Sequence, residues 1–134
     1  MKKYLLLIIL GTIIISCIKN KRHKESNEEV KLLPELRFFQ KVSDFGSVPK
    51  DTILMARYYF MNSGNDTLYI ENISPDCTCT SYHLSKNNIL PNDTAFIELE
   101  FNTEHKYGEE KVYAVVEANT ISKMYKLTIK ANVY

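Results

Sequence analysis

The chain contains no tryptophan, and only three cysteines, four glycines and four prolines in 134 residues. Three thiols are too few to staple a coreless miniature fold, so an aliphatic and tyrosine core must hold the body together. Neither charge dominates. Seventeen basic against 16 acidic residues give a net charge of +1, without the electrostatic footprint that nucleic-acid binding requires. Catalytic signatures are absent as well: there is no Gly-x-Ser-x-Gly elbow, no His-Glu-x-x-His and no Gly-x-x-x-x-Gly-Lys loop. His23, His83 and His105 lie far apart and read as surface residues. Glu98 and Glu100 read as one wet strand face, and Glu109-Glu110 as a loop. Conventional enzymatic activity, a cofactor and a small-molecule substrate are therefore not expected.

A membrane-spanning run is missing too. The longest apolar stretch, Tyr4 to Ile15, has twelve residues. As a helix it would reach about 18 Å at ~1.5 Å per residue, against a hydrocarbon core of ~30 Å. That length suits the h-region of a secretory signal, with Lys2 and Lys3 as its basic head. Ile14-Ile15-Ser16-Cys17 resembles a lipobox, in which a small residue precedes the cysteine that is lipidated. The expectation is a signal peptide over residues 1–16 and a lipid anchor, palmitate included, on Cys17. Several acyl chains hold a protein to a bilayer where one does so only marginally. Ile18 is not the aspartate associated with inner-membrane retention, and no acidic run follows Cys17. The expected address is the outer membrane of a bacterial envelope, facing the periplasm.

Removing the first sixteen residues takes Lys2 and Lys3 with them and leaves 118 of the 134, enough for one ordinary domain. Residues 17–35 read as the lipidated cysteine and a flexible tether. Lys19, Lys21, Arg22 and Lys24 precede Glu25, Glu28 and Glu29, without hydrophobic periodicity.

From Leu36 the pattern turns to period two. Tyr125, Leu127, Ile129, Ala131 and Val133 alternate with Lys126, Thr128, Lys130 and Asn132, the mark of a strand with one wet face. Ile97, Leu99 and Phe101 alternate with Glu98 and Glu100. Val112, Ala114, Val116 and Ala118 share a face, as do Leu54, Ala56, Tyr58 and Phe60, and Leu68 with Ile70. Turn signals separate these runs at Asp44-Phe45-Gly46, Asn62 to Asp66, Pro91-Asn92-Asp93, Tyr107-Gly108 and Asn119-Thr120. The spacing predicts an all-β domain over residues 36–134: one antiparallel sandwich of seven to eight strands.

The same residues carry a family likeness. In order stand Asp44-Phe45-Gly46-x-Val48, Tyr58-x-Phe60-x-Asn62-x-Gly64-Asn65, Leu68-x-Ile70, Asp76-Cys77-Thr78-Cys79-Thr80, Pro91-Asn92, Phe101-Asn102-Thr103 and Ala118-Asn119. This series resembles the bacterial family called domain of unknown function 1573. It departs from the usual pattern at Asp76 and Thr78, which replace Ser and Gly, and at Asn92, which replaces Gly. The resemblance implies an immunoglobulin-like sandwich of the Hydin type on an envelope lipoprotein, and it implies no activity.

Cys77 and Cys79 are the only other cysteines. Residues i and i+2 of a regular strand lie about 6.6 Å apart, whereas bridged Cβ atoms sit near ~3.8 Å. A disulfide here therefore needs a bend. Two alternatives stand beside it: a soft metal site for Cu or Zn using Cys77, Cys79 and His83, and thiol redox exchange. Three Asp-Thr-apolar tripeptides mark Thr52, Thr67 and Thr94. They are similar to the O-glycosylation sequon of exported Bacteroidota proteins, yet each also fits a turn-ending Asp before a strand-starting Thr. The leading expectation is a non-catalytic interaction or assembly module. Its partners would be the membrane, through the anchor, and an unidentified envelope protein.

Overall fold

The computed structural model describes residues 31–134. The expected signal peptide, Cys17 and the tether up to residue 30 lie outside the described residues. Nine strands follow one another without a helix among the described residues: β1 Leu36–Phe38, β2 Val42–Val48, β3 Ile53–Asn62, β4 Leu68–Pro75, β5 Thr80–Leu84, β6 Asn88–Ile89, β7 Thr94–Asn102, β8 Gly108–Ala118 and β9 Met124–Val133. They form a four-stranded sheet, β1-β3-β7-β5, packed on a five-stranded one, β2-β9-β8-β4-β6.

Period two dictates this arrangement. Along β3, Leu54, Ala56, Tyr58 and Phe60 are buried while the residues between them are exposed. From β7 the core receives Ala95, Ile97, Leu99 and Phe101, and from the facing sheet Leu68, Val116, Leu127, Ile129 and Val133. Each large aliphatic side chain removed from water contributes about 1.5–3 kcal/mol. Every fully buried side-chain nitrogen or oxygen among the described residues has a hydrogen-bond partner, as a stable sandwich requires.

Three expectations need correction. The strands number nine, because β1 and β6 have three and two residues, too few for a period to be read. The sandwich is not wholly antiparallel, since β2 runs parallel to β9. Asp44-Phe45-Gly46 is a bulge inside β2 and not a turn between strands. The register shifts between Asp44 and Ser47, Gly46 takes φ +63°, and the Asp44 carboxylate accepts the Gly46 N–H at 3.0 Å.

The end of the expected tether is docked. Leu33 N–H donates to Asn65 Oδ1 at 2.7 Å, and Asn65 N–H to the Leu33 carbonyl at 3.0 Å. Glu35 exchanges bonds with Asn62 Oδ1 at 3.3 Å and Ser63 N–H at 2.9 Å. Asn62, fully buried, anchors this corner by also donating to the carbonyls of Asp66 (2.7 Å) and Ile89 (2.9 Å).

Candidate functional site

The outward side chains of β3 break the rule that a half-buried strand shows a polar face to water. They are Ile53, Met55, Arg57 and Tyr59, and all except Arg57 are large apolar or aromatic groups. Ile53 is 62% exposed, Met55 54% and Tyr59 48%. Phe39 joins Tyr59, because Phe39 N–H donates to the Tyr59 carbonyl at 3.0 Å. On the neighbouring strand Phe96 stands opposite Tyr59, with ring centroids 5.7 Å apart.

An ion pair sits inside this apolar face. Arg57 Nε and Nη2 donate to Glu98 Oε2 at 2.9 and 2.7 Å, and the guanidinium lies 4.6 Å from the Phe96 ring centroid. Cross-strand register sets both contacts, since Arg57 is opposite Glu98. The arginine is thus held in one geometry from two sides, by charge-assisted bonds and by a cation–π contact. Phe39, Gln40, Arg57, Tyr59 and Thr94 line a shallow cleft of about 470 Å³. Tyr, Arg, Met and Phe are the residues enriched in protein–protein contact surfaces, where Lys is depleted.

The opposite sheet mixes charged and apolar groups on its outer side, where Val42, Tyr69 and Met124 are exposed. Its outer face carries Glu109, Lys111, Lys126, Lys130 and Asn132 across β8 and β9. Its central aromatic, Tyr113, is covered by Lys126, whose Nζ lies 3.5 Å from the ring centroid.

Cys77 and Cys79 form a disulfide with Cα atoms 5.1 Å apart, in the short crossover that leaves β4 in one sheet and enters β5 in the other. The bend is tied down on both sides. Thr80 N–H donates to the Cys77 carbonyl at 3.0 Å, Asn102 N–H to the Cys79 carbonyl at 2.9 Å, and Asp76 N–H to the Tyr113 carbonyl at 2.9 Å. Both cysteines pack against the core. His83 is not brought to them as a cluster; it lies on β5 opposite Glu98, its ring 6.3 Å from that of Phe96. No group of three or more His, Cys, Asp or Glu able to hold a metal occurs among the described residues.

Thr52, Thr67 and Thr94 precede or open β3, β4 and β7. Asp66 and Asp93 accept the N–H of the following threonine at 2.7 and 2.9 Å, the local geometry expected of a turn-ending Asp. Thr52 Oγ1 reaches only the Lys50 carbonyl, at 3.4 Å. The three threonines lie at separate strand starts.

The profile of the family described as "Protein of unknown function (DUF1573)" matches residues 36–133, which is the whole sandwich. The chain belongs to the DUF1573 family. No curated protein matches it. Among solved structures, the DUF1573 domain is similar to a protein of unknown function from Porphyromonas gingivalis W83, at 13% identity and TM-score 0.62, covering 79% of this chain and 51% of that one. The present chain thus spans about half the length of that protein. It is also similar to the ASH / PapD-like domain 7 of human CEP192, at 9% identity and TM-score 0.56 over 76% and 87% of the two chains. A third likeness is to the VesB protease of Vibrio cholerae, at 9% identity and TM-score 0.57 over 75% and 31%. At these identities the likenesses show a shared sandwich fold and nothing finer.

The outer row of β3 is the feature that sequence reasoning missed. Its signal was present: Ile53, Met55 and Tyr59 occupy the parity that should be polar if Leu54, Ala56, Tyr58 and Phe60 face the core.

Proposed function

We propose that this DUF1573 protein is a cell-envelope lipoprotein, anchored through Cys17, whose sandwich is a non-catalytic interaction module. The outer face of the four-stranded sheet is its contact surface. One observation carries this reading: on the four-stranded sheet Ile53, Met55 and Tyr59 of one strand, with Phe39 beside them, stand exposed around an Arg57 held by Glu98. Contiguous exposed apolar surface of this kind marks a contact site in a soluble domain. The face spans four strands at ~4.8 Å and about 20 Å of strand length. That area is roughly half of the ~800 Å² per partner of a standard stable interface, so the contact is of the transient or composite kind.

Two measurements test the reading separately. Metabolic labelling with an alkyne fatty acid should mark the wild-type chain and fail on Cys17→Ala. Met55→Glu with Tyr59→Glu should leave the melting temperature within a few degrees and abolish the native envelope complex. A complex that survives both glutamates contradicts the contact surface, and an unlabelled wild-type chain contradicts the anchor.

A further inference from the structure

The four open edges of the two sheets are not alike. Edge strands in natural proteins are protected by shortness, bulges, proline or lysine. β1 and β6 are three and two residues long. β2 is bulged at Gly46 and followed by Pro49-Lys50. β5, Thr-Ser-Tyr-His-Leu over Thr80–Leu84, has none of these devices. Among the described residues it borders β7 on one side and no strand on the other.

Its backbone faces outward at defined positions. Asn102 N–H donates to the Cys79 carbonyl at 2.9 Å, and Ser85 N–H to the Phe96 carbonyl at 3.0 Å. Antiparallel ladders alternate, so Ser81 and His83 bond towards β7 while Tyr82 and Leu84 point their N–H and C=O away from it. The side chains agree. Tyr82 is in register with the fully buried Leu99 and so has core parity, yet it is 49% exposed. At the opposite edge of the same sheet the inward Leu36 and Phe38 are buried. A core row that ends uncovered beside free backbone groups lacks a neighbouring strand.

We propose that the β5 edge receives an extended polypeptide segment of a partner, antiparallel to β5, extending the sheet by one strand. Segment residues paired with Tyr82 and Leu84 share their side-chain parity, so apolar groups at alternate positions cover the Tyr82 ring and Leu84. The residues between them lie beside Ser81 and His83 and are polar. Pairing of β5 with a second copy fits less well. The Thr80 N–H is already bonded to Cys77, and an edge of about 17 Å between two rigid bodies buries far less than ~800 Å² per partner. The Cys77–Cys79 bend sets where the edge begins.

The test is amide hydrogen exchange on the full-length chain in detergent, with a blocked Thr-Val-Thr-Val-Thr-Val-Thr peptide as probe. The Tyr82 and Leu84 amides should slow about tenfold. The same peptide with N-methylated valines, which lacks the facing donors, should have no effect. Tyr82→Pro removes an N–H that points away from β7 and has no bond among the described residues, so the variant should fold and lose the slowing at Leu84. Met55→Glu should keep the response, which separates this edge from the outer face proposed above. The proposal is overturned by no slowing at about 1 mM peptide, by slowing centred on β2 or on the outer face, or by a Tyr82→Pro chain that still responds. Slowing that grows with protein concentration in the absence of peptide assigns the edge to a second copy and also overturns it.

Discussion

The Tyr58 hydroxyl donates to the Thr128 carbonyl at 2.7 Å, joining β3 of one sheet to β9 of the other through the middle of the core. Tyr58 is fully buried, and it links the two sheets in a chain that has no tryptophan. Tyr58→Phe should keep the packing and remove one inter-sheet hydrogen bond, at a cost of about 0.5–1.5 kcal/mol. Chemical denaturation with unchanged m-value would measure it.

Burial, the largest influence, pushes the Tyr58 hydroxyl above its ordinary pKa of 10.0. The unfolded chain therefore loses this proton first as pH rises. The associated stability is complete below pH 10 and declines through the alkaline range above it. Tyr58→Phe should flatten that alkaline decline; an identical decline in both proteins would refute the linkage.

Asn62 uses both side-chain donors on the carbonyls of Asp66 and Ile89, and its Oδ1 accepts from Gly64 and Glu35. Asn62→Asp turns two satisfied donors into acceptors facing carbonyls, in a fully buried position. A loss of at least about 2 kcal/mol is expected, read as a fall in melting temperature of roughly 8 °C or more.

Gly64 lies under the incoming chain. A Cβ there would overlap the Leu33 carbonyl oxygen and sit 2.6 Å from the Glu35 nitrogen and 2.8 Å from the Pro34 carbonyl carbon. Gly64→Ala should dislodge Leu33–Glu35. Proteolysis should then cut at Lys31 faster, while the β7–β9 amides keep their exchange protection.

The disulfide closes a ring of three residues. Chain-entropy reasoning gives a loop so short only about 1–2 kcal/mol. Cys77→Ser with Cys79→Ser should therefore lower the melting temperature by roughly 5–15 °C and leave a folded sandwich. A chain unfolded at room temperature would contradict the core described here.

Much of this was readable beforehand, for particular physical reasons. Leu127 to Val133 alternate apolar with polar residues, and a sheet with one buried face enforces that pattern. Asn92 replaces the family's glycine because its backbone takes φ +64°, where Asn is tolerated better than most residues. β6 was invisible because Asn88-Ile89 is held by pairing with Leu68 and Tyr69 and not by its own pattern. The parallel pairing of β2 with β9 is a long-range choice with no local signature. The exposed row of β3 has no chemical signature, because it contains no cysteine, histidine or carboxylate and is a set of ordinary apolar residues on the outward side of a strand.

The proposed contact surface is open to one direct measurement. A photo-crosslinking residue at position 59, and another at position 130 on the outer side of the five-stranded sheet, would be introduced in the native envelope. The account predicts a discrete adduct from position 59 and none from position 130. Adducts from both positions alike, or from position 130 only, would contradict it.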